Sequence, residues 1–234
     1  MTTDSREIAD LIAALDHPDK PTIRAAVDKL IALAETSTEL RNTLNQRLNE
    51  PDHRNHWPAA YVLGHRNQPS GVVIRTLLDA LDHREPDIRW AIGLLLVRIA
   101  QREPAVVPLL IALCETGSAN QKRMALYCLR DLALSDSESR TAMLKALDDN
   151  EPTVRVAAVT SLKVRTDVDA AVRRKLLTTY LCDTDDRVKN AVAVTLASLG
   201  SPDEDFLRAL DVASKRGNGQ IRKSADAALK ILQK

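Results

Sequence analysis

Aromatic residues are scarce in this sequence: one Phe, two Trp and three Tyr in 234 positions. The core must therefore be built from Ala, Leu, Val and Ile within the 44% hydrophobic content, a composition that suits closely packed helices. Cysteine is equally sparse. Cys114, Cys128 and Cys182 are odd in number and lack Cys-x-x-Cys spacing, which argues against a disulfide framework or a structural zinc site. All three are expected to be small buried hydrophobes. Neither charge is in excess: 33 Lys plus Arg face 32 Asp plus Glu. That balance gives no global attraction to nucleic acid or to an anionic membrane, so a charge-driven partner must use a local patch. Long apolar runs are missing too. None approaches the roughly 20 residues of a membrane span, and Met1 leads into polar Thr2, Thr3, Asp4 and Ser5. A cytoplasmic protein without a membrane partner is expected.

What the chain does have is repetition. The segment Glu151 to Leu162, EPTVRVAAVTSL, recurs so as to align Arg24, Trp57, Arg89, Arg123, Arg155, Lys189 and Arg222, at spacings of 33, 32, 34, 32, 34 and 33. Two positions on lie Ala26, Ala59, Ala91, Ala125, Ala157, Ala191 and Ser224. A period of this size predicts a solenoid, one array in which each unit contacts its neighbours. The expected units are 4–35, 37–66, 70–100, 104–134, 135–166, 167–200 and 201–234, together forming a single domain over 1–234. Each reads as helix, short Asp-, Pro- or Gly-rich turn, and second helix. Pro21 fits a first helical turn, where a missing N–H costs nothing. Trp57 and Pro58 predict a late start for the second helix of unit two. Ser135 with Glu138 has the spacing of a capping box, and Ser201 with Pro202 reads as another helix start.

With the basic position as column zero and 100° per residue, the apolar columns form one buried stripe on the second helix, where Ala at column two lets helices approach. The basic column Arg24, Arg89, Arg123, Arg155, Lys189 and Arg222 lies at the stripe's edge. There a guanidinium can bridge acidic turn residues such as Asp19, Asp52, Glu85 and Glu151, a structural role that accounts for its repetition in nearly every unit.

The Val-Arg-x-Ala-Ala columns resemble HEAT-like repeats, in particular those of the phycobilisome-lyase HEAT-like family, over nearly the whole chain. The resemblance implies an all-α fold, a right-handed α–α superhelix (HEAT-like solenoid) of about seven helical hairpins. It also implies that the second helices line a concave surface, with columns one, four, five and eight facing it. Tyr61, Trp90, Met124 and Tyr127 fall in those columns, as do Val156, Asp131 and Lys163. Large apolar side chains at exposed positions mark contact surfaces, and Trp and Tyr are enriched among binding hot spots. The same side chains could instead cover seams between repeats, and spacing leaves both readings open.

The expected function is a non-enzymatic interaction scaffold that binds a segment of another protein in the concave groove, with no cofactor. Two alternatives come with the resemblance. A nucleic-acid-binding or DNA-repair protein would place Asp131 near Trp90, but Asp28, Asp131 and Asp226 alternate with Lys163, Lys223 and Lys230 where a basic track should run. A bilin-lyase-type or cofactor-handling subunit would need an apolar slot. The chain contains no Gly-rich phosphate loop, Gly-x-Ser-x-Gly elbow or His-Glu-x-x-His helix, so no catalytic residue is assigned. His53, His56 and His65 crowd one unit but lack a familiar ligand set, and no metal is assigned. His17 and His83 read as solvated turn residues.

Overall fold

A computed structural model describes residues 5–50, 55–165, 168–199 and 204–232. Asp52, His53, Ser201 and Pro202 lie outside the described residues. Fourteen α-helices and no strand occur among those described. The odd-numbered, first helices are α1 (Ser5–Ala14), α3 (Thr38–Leu48), α5 (Gly71–Asp79), α7 (Val106–Thr116), α9 (Ser137–Lys145), α11 (Ala170–Cys182) and α13 (Glu204–Arg216). The even-numbered, second helices are α2 (Lys20–Thr36), α4 (Trp57–Gly64), α6 (Pro86–Arg102), α8 (Ala119–Leu132), α10 (Pro152–Leu162), α12 (Asp186–Ser198) and α14 (Gly219–Leu232). The chain divides into two units, Met1–Leu109 and Leu110–Lys234, with the division inside α7.

Second helices pack on second helices: α4 meets α2 and α6 in the N-terminal unit, and α10 meets α8 and α12 in the C-terminal unit. The small column makes this possible. Ala26, Ala59, Ala125 and Ala157 are all buried, and at the close approach of α4 to α6 a Cβ on Gly64 would come within 2.9 Å of Leu95 Cδ2. Leucines such as Leu30, Leu44, Leu77, Leu96 and Leu129 fill the spaces between, each worth about 1.5 to 3 kcal/mol of burial. One polar bond ties α10 to α8, from Ser161 Oγ to Leu126 O at 3.0 Å.

The turns share a device that pattern reading missed. His17 Nδ1, His83 Nδ1, Asp149 Oδ1 and Asp183 Oδ1 each accept the backbone N–H two residues on, at 3.0, 3.1, 2.9 and 2.8 Å. This is side-chain mimicry of a backbone turn, with imidazole and carboxylate in the same office. His17, exposed as expected of a solvated turn residue, and His83, half-buried, are thus also turn-forming groups. The α7–α8 and α13–α14 turns use glycine: a Cβ on Gly117 or Gly217 would stand 2.7 or 2.5 Å from the carbonyl oxygen of Leu113 or Ala213.

The basic column engages carbonyls more than the acids expected of it. Arg89 is buried and its Nη1 donates to the carbonyls of His83 and Arg84 at 2.5 and 3.0 Å. Arg155 Nη1 donates to the carbonyls of Asp149 and Asn150, while Nε and Nη2 form a bidentate pair with Asp183 of the next turn at 2.7 and 2.9 Å, not with Glu151. Arg222 reaches the Gly217 carbonyl and Arg123 the Asn120 side chain. Arg24 differs, being exposed and bonded to Asp87 at 2.7 Å. Thus the guanidinium ties its own turn in Arg89, Arg155 and Arg222, because its planar fork reaches carbonyls just past the end of the preceding helix, where no intrahelical donor meets them.

Three further expectations change. The cap of α9 is Asp136, accepting the Ser139 N–H at 2.6 Å, so Ser135 and Glu138 make no capping box; the box occurs instead at Ser118 and Gln121 of α8. Cys182 is exposed at the end of α11, whereas Cys114 and Cys128 are buried, with burial pushing both thiols up to about 12. Met124 is only 4% exposed, because column one of α8 turns into the core, and it is no surface contact.

Candidate binding face

In the N-terminal unit α2, α4 and α6 enclose a pocket of about 300 Å³ lined by Val27, Trp57, Tyr61, Ile88 and Ala91, with Arg24, Asp28 and Asp87 as its charged members. Helix α4 sets its character. It starts at Trp57, at the basic column itself, without a side-chain cap, and Pro58 occupies its first turn. The late start expected from Trp57 and Pro58 is what brings an aromatic ring to a position held elsewhere by a cation. Tyr61 follows one turn later, so both rings face the same pocket.

Each ring is braced by a histidine. His83 stands edge-on to Trp57, with ring centroids 5.8 Å apart, and His65 edge-on to Tyr61 at 4.8 Å. His65 Nδ1 donates to the Tyr61 carbonyl at 2.9 Å, which leaves Nε2 to accept from Arg98 at 3.3 Å. Burial lowers the His65 pKa against the opposing pull of that carbonyl, and burial likewise lowers His83. Burial raises the Tyr61 phenol, with Arg98 lowering it and Asp28 raising it.

The charges at the rim pair off unevenly. Asp87 accepts from Arg24 at 2.7 Å and Lys20 at 3.2 Å, and Lys20 also meets Glu85 at 2.5 Å. Hydrogen bonding to Glu85 raises the Lys20 pKa, and the bond from Lys20 lowers that of Glu85. Among the described residues Asp28 meets no cation at hydrogen-bonding distance, and its field acts on Tyr61 and His65.

The helix that lends Asp87, Ile88 and Ala91 to the pocket, α6, also carries Trp90 and Leu94, 44% and 45% exposed and one turn apart. The pattern does not hold along the rest of that helix, since Gly93 and Val97, from columns four and eight, are buried. In the C-terminal unit Tyr127 is half-buried beneath Arg130, whose guanidinium lies 4.9 Å from the ring centroid and whose Nε bonds Asp131 at 2.7 Å. On α10 Val156 is half-buried and Val159 buried, and Lys163, just past the helix end, is exposed. The structure therefore places Tyr61 and Trp90 on the N-terminal unit and Tyr127, Asp131, Val156 and Lys163 on the C-terminal one. Trp57 and Asp87 belong to the pocket but were not expected on that face, whereas Asp28 stands in column four, which was expected to face it. The Trp in a basic column was the available signal.

No group of three or more His, Cys, Asp or Glu among the described residues is arranged to hold a metal ion. No described helix is long and apolar enough to cross a membrane.

Comparison with known proteins bears on the fold. No curated protein matches the chain. Among solved structures it is similar to importin beta, at 15% identity over 95% of this chain and 33% of that one, with a TM-score of 0.52. The chain thus spans about a third of that protein's length. It is also similar to a designed armadillo repeat protein in complex with a (KR)4 peptide, at 17% identity over 97% and 99% of the two chains and a TM-score of 0.38. The CpcE–CpcF complex of phycocyanin lyase from Nostoc sp. is similar at 18% identity over 97% and 88%, with a TM-score of 0.39. At such identities the likeness to importin beta concerns the fold alone, and function must come from the site. The profile of HEAT repeats matches residues 74–163 and 140–230, more than half of the sequence, and the chain belongs to the HEAT-repeat family.

Proposed function

We propose that the protein is a non-enzymatic interaction module whose exposed second-helix face docks a segment of another protein. The observation that carries this reading is the pair Trp90 and Leu94, two large apolar side chains turned to solvent one turn apart on α6. Exposing them costs solvation free energy that a covering partner would recover. Trp57 and Tyr61 in the adjacent pocket extend the apolar area, and rigid aromatic anchors are what hot spots are made of. Tyr127, Asp131, Val156 and Lys163, each at least partly exposed on the C-terminal unit, would add contacts of a more polar kind. Cys114 and Cys128 are supplied with no nucleophilic role by this reading, consistent with thiols held at about 12.

The test is to purify the proteins that accompany the chain in its native host, then measure the binding of each, purified, to wild type and to Trp90→Ala. Truncation should weaken binding by roughly 2 kcal/mol or more. Because the ring is already 44% exposed, it should lower unfolding stability by no more than about 1 kcal/mol. A stability loss of about 3 to 5 kcal/mol, as for a buried Trp, would instead assign Trp90 to packing.

A further inference from the structure

We infer that the pocket between α2, α4 and α6 receives a basic side chain, arginine or lysine, from the docked segment. This rests on the reading of the same face as a protein-docking surface and adds the chemistry of one contact. Four features converge. The pocket's volume, about 300 Å³, holds a long side chain. Two aromatic rings, Trp57 and Tyr61, line it one turn apart on α4, and an aromatic face attracts a cation through its quadrupole. Each ring is held by an edge-on histidine, so the lining is set before a ligand arrives.

The fourth feature is charge. Three carboxylates and two cations stand at or near the rim. Glu85 and Asp87 are engaged by Lys20 and Arg24, which leaves Asp28 as the carboxylate without a cation at ion-pair distance among the described residues. Arg98, the remaining cation nearby, donates to His65 Nε2 and does not line the pocket. An arriving guanidinium or ammonium would meet ring faces along its length and Asp28 at the mouth, completing the pairing that the protein leaves open. An acidic side chain would meet the opposite: Asp28, with Asp87 beside it, and no unpaired cation. A neutral apolar side chain would fill the volume but would leave Asp28 without its ion pair.

The experiment uses the full chain with Trp90→Phe, so that Trp57 is the one remaining tryptophan reporter. Millimolar N-acetyl-arginine amide and N-acetyl-citrulline amide, which match in shape and differ in charge, are titrated at constant ionic strength. Trp57 emission and its indole N–H resonance are followed. The arginine probe should bind at least about fivefold more tightly than citrulline, the scale of a partly exposed cation–π contact with an ion pair. Asp28→Asn should reduce that preference to the part the two rings supply, while leaving the thermal unfolding midpoint in place, because Asp28 is exposed. Equal response to the two probes, no response to arginine, or a preference undiminished by Asp28→Asn would overturn the inference. These outcomes are separable from failure of the docking surface itself: that surface is tested by Trp90→Ala against a purified partner, which can lose binding whether or not the pocket prefers a cation.

Discussion

The side chains that close the turns show how one geometric task is met by different chemistry. Asp149 and Asp183 accept a backbone N–H through a carboxylate oxygen, whereas His17 and His83 do so through Nδ1 of an imidazole. Imidazole is the side chain type whose ordinary pKa lies near neutrality. Burial lowers the His83 pKa below its ordinary value of 6.5, with Arg84 and Arg89 acting in the same direction against Glu85 and Asp87. The folded state therefore disfavours the proton more than the unfolded chain does. The stability that His83 contributes is fully present above about pH 6.5 and is lost as pH falls through the lower folded value. His65 acts with the same sign. Chemical denaturation of wild type between pH 7 and 5 should show a falling midpoint, and His83→Asn, which keeps an acceptor but cannot titrate, should show a shallower fall. An unaltered slope would mean that the Nδ1 acceptor is not what holds this turn. The residue scale is also where sequence reading was weakest, because a histidine in a turn looks alike whether it is solvated or bonded to the N–H two residues on.

Among the helices, the second ones carry the packing, and their smallest residues decide it. Ala157 on α10 is wholly buried, and that helix is pressed between α8 and α12. Ala157→Leu adds three carbons where no space exists and should cost about 1 to 3 kcal/mol by forcing the neighbours apart. An unchanged denaturation midpoint would show that the small column is not at the contact. The clamp of Arg155 on Asp183 works at the same scale, since it joins the start of α10 to the turn before α12 with both side chains largely buried, 13% and 5% exposed. The pair with Asp183 and its field raise the Arg155 pKa, and the bonds from Arg155 and the Asp185 N–H lower that of Asp183 against burial, which opposes them. Both partners thus stay charged and paired. Sequence columns located Arg155 at the edge of the stripe, but its partner 28 residues away could not be chosen over nearby Glu151 until the helices were placed.

For the molecule as a whole, the organisation is one of neighbour contacts. Deleting residues 200–234 removes α13 and α14 and uncovers Leu177 and Leu181, which pack against Leu210 and Ala225. The shortened chain should keep strong helical circular dichroism with a lower unfolding midpoint, because repeats are stabilised by their neighbours and not by a single central core. Loss of all helical signal would contradict this. Helix, turn and second helix follow from the sequence by itself, because apolar periodicity, proline and cap residues act over a few positions and need no distant partner. The buried alanine column follows in the same way. Exposure does not. Trp90 and Met124 share a column, yet one is 44% exposed and the other 4%, and Val97 and Val159 are buried in columns expected to face solvent. A column fixes the direction in which a side chain leaves its helix; whether it meets water or another helix depends on what the tertiary structure sets opposite, and that is decided by helices far away in the sequence.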